Sequence, residues 1–243
     1  MASIIVSYGL QYGCMLIEAA LICYCVSSAR RAKRELTPIL YLAALLGAAL
    51  ARSSVLHIYG LRSSKYSYLY WTTDFLLVIA AFLVVCLFFR RACFHQEKLW
   101  RFVRLLLFFT FVMVVGISGL SFLNHYGRLS VSYIAEFSQD LYFTCLVLNT
   151  MLYLMLLQIE STDDQLGLLV CGVGIQFAGP AASMAFYHLT TGDHFAASLN
   201  YFTLRVCTLG MLLVWAYAIV CVRDRGTKVA RHKIPAFAEV TAD

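Results

Sequence analysis

Between Tyr66 and Arg91 the chain reads YSYLYWTTDFLLVIAAFLVVCLFFRR. Aromatic residues open this stretch, two arginines close it, and the apolar run between them reaches the roughly 20 residues that a helix needs to cross a bilayer. Its exception is Asp74. A carboxylate about two turns inside a hydrocarbon slab costs on the order of 2.5–3.5 kcal/mol, so it requires a partner on another helix. The pattern of apolar runs recurs along the whole chain. Hydrophobic residues make up 61% and charged residues 13%, against the roughly half-apolar, quarter-charged makeup of soluble domains. This excludes a water-soluble globular protein and leaves an all-α, polytopic membrane bundle.

Seven spans are expected, at about 4–27, 38–59, 67–91, 102–123, 133–159, 166–188 and 196–222, followed by a polar tail over 224–243. The first lacks a small-residue cleavage pattern and reads as an uncleaved helix. The basic connection RRACFHQEKLWRFVR is expected to lie partly along the interface, with Trp100 as anchor. In the sixth span, Gly174, Ala178 and Ala182 place small residues on one face, and Pro180 interrupts the helix. Gly9 and Gly13 form a GxxxG in the first span. The nine cysteines lie in or beside apolar runs without metal-site spacing and read as small buried hydrophobes.

An odd number of spans puts the termini on opposite sides. The first and third connections and the tail hold fourteen lysines and arginines, against Arg62, Lys65 and Arg128 on the other side. This bias places the amino terminus outside and the carboxyl terminus in the cytoplasm, and it accounts for the net charge of +6 without a nucleic-acid partner. In this orientation Arg52, Asp74, Asp140 and Arg205 all fall roughly 10–12 Å below the outer surface. Glu136 stands one turn above Asp140, and His57, which is able to change charge near neutral pH, lies close by. These residues are the candidate ligand-binding or ion-pair layer. Glu18, deeper on the first span, is either a carboxyl that keeps its proton and bonds a neighbour or a proton-coupling group.

Two readings of the layer stand side by side. Four charges that sum to zero suit a static lock that fixes helix register. Intramembrane charges also mark ligand and ion pathways, and Glu136 and His57 are titratable groups that the lock does not use. The first reading describes a structural or accessory subunit whose membrane-protein partners dock on the small-residue faces. The second describes a sensor or transporter that binds a small ligand or ion. A membrane enzyme acting on a lipid-like substrate is a third, although no HExxH, GxSxG or phosphate-binding glycine loop is present and no catalytic set is identified.

The opening of the third span, YLYWTTDF, together with the basic first connection and an arginine late in the second span, resembles a group of uncharacterised bacterial seven-helix membrane proteins. In that group the third helix begins with spaced tyrosines, a tryptophan and then an acid. The resemblance implies a multi-pass protein of the bacterial inner membrane and carries no activity with it. Comparison with retinal proteins fails on the residues: Lys33, Lys65, Lys98, Lys228 and Lys233 all lie outside the spans, and Arg205 occupies the centre of the seventh. Haem held between helices is also disfavoured, because His57, His125, His188 and His194 lie at helix ends or in connections. No cofactor is therefore expected.

Overall fold

The computed structural model describes residues 2–27, 35–60, 63–93, 97–124, 130–158, 163–189 and 194–222, with the backbone alone for 2–8, 64, 117–124, 130–136, 183–189, 194–201 and 222. All regular structure among them is helical. The helices are α1 Ala2–Val26, α2 Leu36–Tyr59, α3 Ser64–Ala92, α4 Glu97–Asn124, α5 Ser130–Gln158, α6 Asp164–Leu189 and α7 His194–Tyr217, with α7 continuing into a π-helical turn over Ala218–Val222. Each of the seven is long and apolar enough to cross a membrane, and the chain is an integral membrane protein.

Local signals set several of the helix ends. Gly60 closes α2 at φ +73°, a left-handed conformation that glycine adopts without strain. Its N–H is held by the Leu56 carbonyl at 2.9 Å. Ser63 caps α3 by accepting from the Lys65 N–H. Asp163 caps α6: its Oδ1 accepts from the Leu166 N–H at 3.2 Å, while its Oδ2 receives Arg91 Nη2 at 2.8 Å. The Glu97–Arg104 segment forms the first turns of α4. No break occurs at Pro180, and α6 runs through it. Hydroxyls within the apolar segments satisfy themselves locally, as Thr110, Thr144, Thr150 and Thr208 each donate to the carbonyl four residues back.

In the bundle, α1 packs on α2 and α7, α2 on α3, α3 on α5, α5 on α6 and α6 on α7. These contacts close a ring of six helices. α4 lies outside the ring, against α5 and more lightly α3, and turns Phe102, Leu105, Phe108, Phe109, Val112 and Met113 outward. Such a face belongs in contact with lipid, where apolar side chains carry no hydration penalty. Inside the ring, Leu42, Phe88, Leu141, Leu152, Phe177 and Met211 are fully buried.

The most extensive helix contact, α6 against α7, is organised around Trp215. Its ring is fully buried, its Nε1 donates to the Leu169 carbonyl at 2.9 Å, and it packs at 5.9 Å from Tyr41. Gly172 makes room for it, since a Cβ there would stand 2.6 Å from Trp215 Cδ1. One helical repeat further on, Gly179 does the same for Cys207. The small residues that allow close approach are thus Gly172 and Gly179 toward α7 and, of the face expected from Gly174, Ala178 and Ala182, Gly174 toward α5. Of that face only Gly174 meets a neighbour, Asn149, while Ala178 and Ala182 are exposed. Cβ atoms on Gly9 or Gly13 would meet nothing within 4 Å.

Candidate functional site

A cavity of about 60 Å³ lies within the ring, and all six of its helices line it. α1 contributes Gln11, Cys14 and Glu18, α2 Tyr41 and Arg52, α3 Asp74, α5 Tyr142, α6 Gln176, and α7 Arg205 and Thr208. Met15 with leucines and alanines completes the wall.

Arg52 and Asp74 meet here, as an intramembrane aspartate requires. Arg52 Nη2 lies 3.5 Å from Asp74 Oδ1, and both side chains are nearly buried. The pair is embedded in further contacts from α3. Arg52 Nε donates to Thr73 Oγ1 at 2.7 Å, Nη2 donates to the Tyr70 carbonyl at 3.2 Å, and the guanidinium carbon sits 4.3 Å from the Tyr70 ring centroid. Tyr142 lines the same cavity as the Asp74 carboxylate. Thr73 is held in place by its own bonds to the Leu69 and Tyr70 carbonyls. A guanidinium with this many fixed acceptors and a ring face beneath it is well satisfied where it stands.

Arg205 faces the same cavity from α7, where its Nη2 donates to Gln11 Oε1 at 3.4 Å. Cys14 and Glu18 line the same cavity from α1. Glu18 is 3% exposed, and its Oε2 has no hydrogen-bond partner among the described residues. No ion pair joins Glu18 to Arg205 among them either. The cavity therefore holds one arginine and carboxylate pair in direct contact, Arg52 with Asp74, and one buried carboxylate oxygen, Glu18 Oε2, that no described residue serves.

Asp140 lies at the expected depth but on another face of α5. The buried stripe of that helix is Phe137, Leu141, Cys145, Leu148 and Leu152, and Asp140 projects from its exposed side. The side chain of Glu136 lies outside the described residues. His57 is exposed at the end of α2, with Nδ1 3.0 Å from the Ser53 carbonyl. Among the anticipated residues, then, the structure gathers Arg52, Asp74, Arg205 and Glu18 around one cavity. It adds Gln11, Tyr41, Tyr142 and Gln176, of which Tyr41 donates to Gln176 Oε1 at 3.0 Å. Gln11 and Glu18 were accessible from the sequence, since with Cys14, Leu21 and Cys25 they form one buried heptad-spaced stripe. The tyrosines carry no comparable signal.

A second polar cluster joins α2, α3 and α6 at the opposite end of the bundle. Gln165 Nε2 donates to Glu35 Oε1 at 3.0 Å, with both residues buried, beside the Arg91–Asp163 pair. Glu35 stands in a basic connection, and nothing in its sequence neighbourhood marks it as buried. No group of histidine, cysteine and acidic side chains suited to a metal ion occurs among the described residues. No protein family, curated protein or solved structure matches the chain.

Proposed function

We propose that this membrane protein binds a small polar ligand or ion in the central cavity, as a transporter or sensor does, and that the Arg52–Asp74 pair is the fixed wall of that site. The observation that carries this reading is Glu18: a carboxyl 3% exposed, lining a polar cavity, with an oxygen that no described residue serves. An acceptor buried without a donor costs on the order of 1–3 kcal/mol, which a bound group would relieve. The lock reading draws support from the other half of the cavity, where Arg52 is saturated by Asp74, Thr73 and Tyr70. The two readings divide the four charges rather than compete for them. The resemblance of YLYWTTDF to bacterial seven-helix proteins, with the loop charge bias, supports an inner-membrane location with the amino terminus outside.

The test is thermal stability of the detergent-purified chain against a panel of monovalent salts, small carboxylates and sugars, with an Ala49→Leu variant that fills the cavity wall without touching a charge. A ligand raises the wild-type midpoint by mass action and leaves the variant unmoved. Indifference of the wild type to the whole panel sinks the binding reading.

A further inference from the structure

The outward face of α4 changes character along its length. Lys98, Arg101, Leu105, Phe108 and Val112 recur at alternating spacings of three and four, so they form one stripe, and all five are exposed. We propose that this stripe binds an anionic phospholipid, with the phosphate held by Lys98 and Arg101 and an acyl chain laid along Leu105, Phe108 and Val112. The site is independent of the central cavity.

Packing fixes which way the stripe faces. Leu99, Trp100, Val103, Leu106 and Leu107 hold the opposite face of α4 against the core, so Lys98 and Arg101 are turned away from the bundle. The stripe also has the length of a lipid. From Arg101 to Val112 the helix rises roughly 16 Å at 1.5 Å per residue, close to the depth of one leaflet of a hydrocarbon core about 30 Å thick. Lysine and arginine stems lie along apolar surface while their charged heads reach the headgroup level.

Charge selects the headgroup. Arg104, a turn beyond Arg101, is exposed as well, and none of Lys98, Arg101 and Arg104 forms an ion pair among the described residues. Glu97 is the only acid in α4, set against these three cations. Arg91, at the nearby end of α3, is by contrast committed to Asp163. A guanidinium takes two phosphate oxygens at once, and an ammonium adds a point charge beside it. A zwitterionic lipid brings its own amine to the same place and gains less from the two cations.

A second copy of the chain is a poorer occupant. Two copies that share one orientation in the membrane meet at a two-fold axis through identical surfaces, which sets Lys98 and Arg101 against themselves. Like charges placed face to face repel. A soluble acidic ligand would meet the cations and leave Leu105, Phe108 and Val112 without a part. A molecule with an anionic head and an apolar tail matches both halves of the stripe.

The experiment is native mass spectrometry of the full-length purified protein, released from mixed micelles that contain equal amounts of phosphatidylglycerol and phosphatidylcholine with identical acyl chains. Wild type should retain phosphatidylglycerol in preference by about tenfold or more, since each basic residue near an anionic surface contributes about fivefold. Lys98→Gln combined with Arg101→Gln should abolish the preference at an unchanged thermal midpoint, as substitutions at exposed positions allow. Should that variant fold poorly, Lys98→Gln alone should lower the preference about fivefold. Arg30→Gln combined with Arg31→Gln removes the same charge from the first connection and should leave the preference in place. Phe108→Ala with Val112→Ala should weaken retention of both lipids without changing their ratio. An equal loss of preference in the Arg30 and Arg31 control reduces the effect to diffuse charge and overturns the site, as does a wild type that retains both lipids alike. Displacement of phosphatidylglycerol by glycerol 3-phosphate means that a free phosphate suffices and overturns the lipid assignment. A lipid-free dimer that the Lys98 and Arg101 variant abolishes gives the stripe to a second copy instead.

Discussion

Replacing Arg52 by leucine tests whether the pair with Asp74 holds the bundle together. The substitution removes hydrogen bonds to Thr73, the Tyr70 carbonyl and Asp74, along with the ring contact. Interhelical polar contacts in membranes average about 0.6 kcal/mol each, so these three sum to about 2 kcal/mol. Leaving Asp74 buried without its cation costs more, since breaking a buried pair from one side reaches 3–5 kcal/mol. We expect a loss of about 3 kcal/mol for Arg52→Leu, the lower end of that range. Asp74→Leu should cost about 2 kcal/mol, because Arg52 keeps Thr73 and Tyr70. With both replaced, neither charge is stranded, and the double variant should be less destabilised than the two single losses combined by at least about 1 kcal/mol. Reversible unfolding in mixed micelles, followed across the four proteins, measures this directly. Single effects that add to within about 0.5 kcal/mol would refute the pairing.

Three further expectations concern packing and ends. Gly172→Ala should destabilise by about 1–3 kcal/mol, because the new methyl meets Trp215 at 2.6 Å in a contact with no slack. Ala178→Leu, a larger change at an exposed position on the same helix, should stay within about 0.5 kcal/mol in the same unfolding assay. Asp163→Ala removes the α6 cap and the Arg91 partner together and should cost about 1–2 kcal/mol, whereas Asp163→Asn keeps a capping oxygen and should lose less than half of that. Trp215→Phe, which deletes the donor to Leu169 but retains most of the ring, should cost about 1 kcal/mol, and protection of the surrounding amides from hydrogen exchange would report where.

Much of the architecture is a direct consequence of composition and periodicity. Apolar runs of bilayer length admit little besides helices, so the seven spans and their approximate bounds follow from the chain alone. The need of Asp74 for a partner, and the availability of Arg52 near the facing end of the preceding span, are also legible, because a short hairpin brings those two ends together. Depth can be counted along a helix at a fixed rise per residue. Rotational phase cannot be counted in the same way when a helix is apolar on nearly every face. That is why Asp140 shares the depth of Asp74 and yet faces outward, while Glu18, set apart by depth, turns toward Arg205. The tertiary structure decided which stripe of each helix meets the ring interior. It did so through steric fits such as Gly172 against Trp215, which depend on two residues far apart in the chain and leave no mark on either one's neighbours.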